Sequence, residues 1–162
     1  MALKIPLVIG TDGLTQQLQA GDTLLAPTNT PSIRAITNGE SSAAITIGMP
    51  VYASAADTVK RAQANAKTTS KLAGLGYDSS IAAAAIGNIA SEGVLVATTT
   101  QWDAVAGTTG GLAFNTVYFL DPTTAGKITA TPPTTTGQCN VIVGIALSST
   151  ELELQIEQPI LL

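Results

Sequence analysis

The chain contains no histidine and only one cysteine, Cys139. Without histidine there is no Ser–His or Cys–His dyad, no imidazole general base and no ordinary zinc site. A single cysteine excludes an intrachain disulfide and a thiolate cluster, so Cys139 reads as a small residue near the start of a strand. Charge is also scarce. Charged residues make up 11% of the chain, against about 25% in an average soluble domain. Aromatics are 4%, too few for a platform that stacks bases or sugars. The net charge of −4 argues against nucleic acid as a partner, because phosphate binding needs a basic face. No apolar run reaches the roughly 18 residues of a membrane span. The apolar start of the chain meets Thr11-Asp12-Gly13 at once, which does not read as a secretory signal. Synthesis and assembly in the cytosol are the expectation.

What is present is apolar and β-prone. Hydrophobic residues are 45% of the 162, enough for one compact domain with an arm. So few charges leave two ways to cover the surface. Threonine, serine, glutamine and asparagine can coat it, or partners can bury it. Threonine recurs in runs such as Thr98-Thr99-Thr100 and Thr134-Thr135-Thr136 and favours sheet surfaces.

Two stretches echo each other. Pro50-Val51-Tyr52, Val59-Lys60-Arg61-Ala62 and Ala73-Gly74-Leu75-Gly76 form the first. Thr116-Val117-Tyr118, Gly126-Lys127-Ile128-Thr129 and Val143-Gly144-Ile145-Ala146 form the second. The echo predicts two copies of one β-unit, with Gly74 and Gly144 as anchors and Tyr52 and Tyr118 as equivalent points. The expected fold is all-β, a small barrel or sandwich built from two similar β-units, with an extended N-terminal arm.

Residues 1–31 read as arm and linker. Leu3-Lys4-Ile5-Pro6-Leu7-Val8-Ile9 is extended, Thr11-Asp12-Gly13 turns, and Ala26-Pro27-Thr28-Asn29-Thr30-Pro31 is linker chemistry. Residues 32–162 form the β domain. Within it, 32–48 read as a hairpin turning at Asn38-Gly39, the pair preferred for a type I′ turn. Unit one spans 49–100 and unit two 101–162. Residues 57–73 fit either a helix or a strand near 59–63 followed by a loop, and the echo favours the strand. The run 81–87 has helical composition, and Gly87-Asn88 reads as a turn. Residues 93–98 read as a strand and 101–105 as a short helical turn. In 115–120, Tyr118 and Leu120 share one face. In Glu151-Leu152-Glu153-Leu154-Gln155-Ile156-Glu157 the alternation turns Leu152, Leu154 and Ile156 to a core and the glutamates to solvent.

The search for chemistry finds no catalytic, cofactor-binding or metal-ligating set, so no cofactor is expected. Gly107-Thr108-Thr109-Gly110-Gly111 is glycine-rich but lacks the lysine and strand-to-helix setting of a phosphate loop. Asp57, Asp78, Asp103 and Asp121 lie by turns, where aspartate caps the backbone. Glu151, Glu153 and Glu157 read as a solvated face. Lys60, Arg61, Lys67 and Lys71 are either a solvated patch or a contact for an acidic partner. Trp102 reads as a core or subunit-contact residue ahead of a ligand platform. An enzyme is not expected.

Residues 101–105, 109–112, 117–120, 126–129, 132–134 and 143–148 together resemble a β-rich module of tailed-bacteriophage structural proteins. Ile5-Pro6-Leu7-Val8-Ile9 and the segment through Gly21-Asp22-Thr23-Leu24 are similar to the start of phage virion proteins. The resemblance implies a virion protein that forms homo-oligomers, often trimers. Two readings follow. One is a capsid decoration (cement) protein on the outer capsid surface, with the major capsid protein as partner. The other is a head or tail fibre subunit contacting the host. The expected contact residues are the apolar ones of the arm and tail, Leu3, Ile5, Leu7, Ile9, Leu14, Leu18, Leu24, Leu25, Ile160 and Leu162.

Overall fold

The computed structural model describes residues 30–162 and, before them, two short paired strands, β1 (Leu7–Ile9) and β2 (Thr15–Gln17). The chain is mostly β. Strands β3 (Ser32–Asn38), β4 (Ile45–Thr46), β5 (Pro50–Ala55), β6 (Thr58–Arg61), β7 (Leu72–Gly76), β8 (Ser80–Ile81) and β9 (Ile86–Val96) precede helix α1 (Thr99–Ala106). Strands β10 (Val117–Leu120), β11 (Ile128–Thr129), β12 (Cys139–Asn140), β13 (Ile142–Ala146), β14 (Glu151–Leu154) and β15 (Ile160–Leu161) follow it. The arm residues Leu3, Ile5, Leu14, Leu18, Leu24 and Leu25 lie outside the described residues.

One sheet organises the molecule, in the order β11-β10-β13-β14-β9-β3-β6-β5-β7, and β7 also pairs with β9. That last pairing closes β9, β3, β6, β5 and β7 into a five-stranded barrel. Closure leaves no free edge within the barrel, where β9 takes part through Ile86 to Glu92. Ile36, Val51, Val59 and Ile89 fill the barrel, joined by Ile45 and Ile81 from the β4–β8 pair. A second cluster, built around Trp102, Tyr118, Leu120, Leu95, Val143 and Leu152, underlies the other half of the sheet. The long strand β9 belongs to both halves. Its first part pairs with β3 and β7, and its last part, Gly93 to Val96, pairs with β14.

The two halves repeat one antiparallel pattern, β6-β5-β7-β9 in the first and β11-β10-β13-β14 in the second. The expected duplication is therefore present in the strand order. The tyrosines, however, are not its equivalent points. Val51 lies opposite Gly74, and Tyr118 lies opposite Gly144. Tyr118 thus corresponds to Val51, and Phe119 to Tyr52, an offset of one residue from the sequence echo. Burial agrees, with Val51 and Tyr118 enclosed and Tyr52 and Phe119 half-buried. A one-residue shift in a strand exchanges inner and outer faces, so the glycines mark the repeat and the tyrosines do not.

The Asn38-Gly39 hairpin is not formed. β3 runs antiparallel to β9 and parallel to β6, while Ile45-Thr46 pairs with β8. Asn38 is fully buried. Its Nδ2 donates to the carbonyls of Ala43 (3.0 Å) and Ile81 (2.9 Å), and its Oδ1 accepts from Glu40 N–H (2.9 Å). The side chain ties the loop of residues 39–44 to strand β8 at one end of the barrel, a non-local role that outweighs its turn preference. Gly87-Asn88 is likewise no turn. It lies inside β9, where a Cβ on Gly87 would stand 2.5 Å from the Ile81 side chain. Residues 81–87 form no helix, whereas α1 does form over the 101–105 segment, with Thr98 and Gln101 completing a capping box. Residues 57–73 resolve as strand β6 and a turn region leading to β7.

Candidate partner-binding site

Trp102 sits at the join between the halves. Its ring is fully buried, and its Nε1 donates to Thr150 O at 3.0 Å. A Cβ on Gly48 would lie 2.8 Å from the indole. It is thus a core residue and no ligand platform. The glycine-rich loop after α1 is also occupied internally. Asp103 Oδ1 accepts from Gly111 N–H (2.7 Å) and Thr108 Oγ1 (3.0 Å), and Oδ2 from Gly110 N–H (3.1 Å). The Gly111 bond leads in holding this carboxyl below the usual carboxylate range, with Gly110 and Thr108 adding to it against partial desolvation. The amides that could cradle a foreign anion hold the protein's own.

The basic cluster read from the sequence is split by the fold. Lys60, Lys67 and Lys71 surround an open pocket of about 690 Å³ with Tyr52, Ser54 and Thr68. Arg61 points elsewhere, its backbone N–H (2.9 Å) and Nε (3.3 Å) both donating to Glu40 Oε1. Among the described residues the ion pairs are Arg61–Glu40 and Arg34–Asp57, so the three lysines face solvent without a carboxylate partner. Glu151 and Glu153 share the outward face of β14, as their alternation predicts. Glu151 takes a bond from Ser148 Oγ (3.2 Å), Glu153 one from Gln155 Nε2 (3.4 Å), and Glu157 is exposed. Among the described residues no group of three or more His, Cys, Asp or Glu could hold a metal ion, and no helix is long and apolar enough to cross a membrane.

One concave surface among the described residues is apolar. A groove of about 790 Å³ is lined by Pro31, Ile47, Tyr77, Val94, Val96 and Leu147. Thr30 and Glu151 complete its rim. Val96 is 58% exposed and Leu147 40%, unusual for side chains gathered in one place. Strand β9 explains the floor. Successive side chains alternate between faces, so Leu95 enters the core while Val94 and Val96 turn outward. The backbone is open there as well. Ala97 N–H donates to Thr150 O, and in an antiparallel ladder every second residue turns its peptide groups away from the neighbour. Leu95 therefore bonds β14, and the peptide groups of Val94 and Val96 point to the opposite side. Among the described residues β3 pairs with β9 as far as Glu92, β7 as far as Ala90, and no strand lies beside Val94 and Val96 on that side.

The groove lies where the arm meets the domain. Pro31 crosses directly over Gly93, whose φ of +87° and lack of a Cβ allow Pro31 Cα and Thr30 O to approach to within 2.9 Å of where a Cβ would stand. Of the expected contact residues, Leu7 and Ile9 belong to β1, and Ile160 and Leu162 are described at the other terminus. Ile160 is 62% exposed. The tail is pinned by backbone bonds, Gly137 N–H to Leu162 O and Leu162 N–H to Gln138 O, both at 2.9 Å. Sequence reasoning missed the groove because it draws on separate segments. One local signal did exist. Gly93-Val94-Leu95-Val96-Ala97 is apolar without alternation, the pattern of a strand covered on both faces.

No protein-family model matches the chain, and no curated protein matches its sequence.

Proposed function

We propose that this chain is a bacteriophage capsid decoration (cement) protein, a homo-oligomer that binds the outer head surface through the major capsid protein and stabilises the particle. The observation that carries the reading is the exposed apolar groove and open strand edge at the root of the arm. An arm beside an open edge is suited to strand addition, in which backbone hydrogen bonds supply affinity without a deep pocket. Many weak contacts repeated over a lattice sum to firm attachment. The sparse charge, the closed barrel and the apolar tail at 160–162 support a protein whose surface is partly covered in its working state. The resemblance to phage virion modules supplies the particle.

The test is deletion of residues 1–26 followed by co-sedimentation with empty capsids. Loss of at least tenfold in bound protein is expected, and undiminished binding would remove the arm from the reading. Labelling of virions read by electron microscopy supplies the position. Uniform decoration of the head is expected, and label confined to the tail or vertices would favour the fibre reading.

A further inference from the structure

We propose that the pocket bordered by Lys60, Lys67 and Lys71 binds a small ligand bearing phosphate groups. The pocket is a fixed part of the fold. Tyr52 and Lys60 are register partners on β5 and β6 and so share one face. Lys67 and Thr68 lie in the turn region that leads to β7, and Lys71 stands just before that strand. With Ser54 they border about 690 Å³. The turn region is pinned from within and from the second half of the sheet. Buried Ser70 Oγ donates to Ala66 O (2.7 Å), and Gln63 N–H to Thr69 O (3.1 Å). Ala64 N–H donates to Asp121 O, and Ala64 O accepts from Cys139 N–H, both at 2.9 Å. The backbone under the lysines is therefore in place before a ligand arrives.

Charge sets the sign of the ligand. The other cations of the described residues each have a partner: Arg34 has Asp57, Arg61 has Glu40, and Lys127 Nζ donates to Ala104 O. The three pocket lysines have none among the described residues, and no carboxylate lines the pocket. Without these lysines the chain holds four cations against eleven acidic residues. Three ammonium groups gathered together repel one another, and an anion bound between them reverses the sign of that interaction. The hydroxyl of half-buried Tyr52 also lacks a partner among the described residues, and with Thr68 it can bond a ligand oxygen.

The residue type selects among anions. The planar arginine fork matches carboxylates, whereas lysine binds phosphate as a point charge with three rotatable donors. Both arginines are held by the protein's own carboxylates, and the pocket gathers lysine alone. Size follows from the rest of the chain. A long polyanion would run over a net acidic surface, whose repulsion reaches about 8 Å at physiological salt. A compact ligand stays within the pocket.

Isothermal titration calorimetry of the full-length chain with sodium pyrophosphate tests the proposal, with a hexaglutamate peptide as the competing chemistry. Saturable binding of pyrophosphate at one site per chain is expected, weakening as salt rises, with hexaglutamate binding more weakly. Lys67→Gln combined with Lys71→Gln should weaken pyrophosphate binding by about tenfold or more, because charge-assisted bonds are lost. Lys127→Gln, which removes a positive charge beside β11, should leave it unchanged. Absence of saturable heat, or an equal loss in Lys127→Gln, would overturn the proposal. Tighter binding of hexaglutamate would also overturn it and make the pocket a contact for an acidic protein segment. The double lysine variant, heated without ligand, should melt no lower than the parent. A clear fall would give these exposed lysines a structural role and overturn the proposal. No capsid enters these measurements, so their outcome is distinct from that of the particle-binding test.

Discussion

Gly74 and Gly144 occupy the same point in the two halves of the sheet, each beneath a carbonyl oxygen of the next strand. A Cβ on Gly74 would stand 2.5 Å from Ala90 O, and one on Gly144 would collide with Glu153 O. Those two carbonyls are themselves equivalent, since Ala90 pairs with Leu75 and Glu153 with Ile145. The repeat therefore extends to the third strand of each unit. What it preserves is a close approach of backbone to backbone.

Gly74→Ala and Gly144→Ala should each destabilise the domain by about 1–3 kcal/mol, the usual cost of forcing atoms into a packed site. Urea unfolding measures this, and an alanine tolerated at either position would show that the approach is not tight in solution.

Asn38→Ala should cost about 1–3 kcal/mol by leaving the carbonyls of Ala43 and Ile81 and the Glu40 amide without partners. Asn38→Asp should cost more at neutral pH. It places a carboxylate against two carbonyl oxygens in a fully buried position. Acidification should lessen that excess, because the protonated acid regains one donor. Thermal denaturation of both variants at two pH values checks the order and the trend.

Asp103 should make stability depend on pH in the acid range. Its folded pKa is depressed, chiefly by the Gly111 amide. The ionised carboxylate thus contributes stability above its unfolded pKa, and that contribution is lost as pH falls through the lower folded value. Asp103→Asn should lower the melting temperature at neutral pH and flatten its decline below the ordinary carboxylate range. Equal slopes in variant and parent would rule the contribution out.

The two ion pairs should differ in worth. Arg34 and Asp57 lie 2.5 Å apart, but their side chains are 66% and 78% exposed. A double-mutant cycle on them should give less than about 1 kcal/mol. Arg61 and Glu40 are 31% and 18% exposed, and Glu40 also accepts from the Arg61 amide. Glu40→Ala should therefore destabilise more than Asp57→Ala when both are measured by chemical denaturation.

Much of the local structure was legible from period-two alternation. Tyr118 and Leu120 share the buried face of β10, and Leu152 and Leu154 that of β14, as their spacing requires. The short helical turn expected at 101–105 forms as part of α1, which holds Trp102. The lysine cluster was only half legible. Adjacent residues of a strand point to opposite faces, so Lys60 reaches the pocket while Arg61 turns to Glu40.

By itself, the amino-acid sequence determined the class of fold, the repeated unit with its two glycine anchors, and the absence of imidazole and disulfide chemistry, because those follow from composition and near-neighbour spacing. Only the tertiary structure decided which strands pair. It took Asn38 out of an expected turn and buried it, drew β3 in to close the barrel against β9 and β6, and shifted the tyrosine equivalence by one residue. It also gathered Ile47, Tyr77, Val94, Val96 and Leu147 into one groove. Strand partners are chosen by burial and backbone bonding between residues far apart in the chain, and local preference yields where the two conflict.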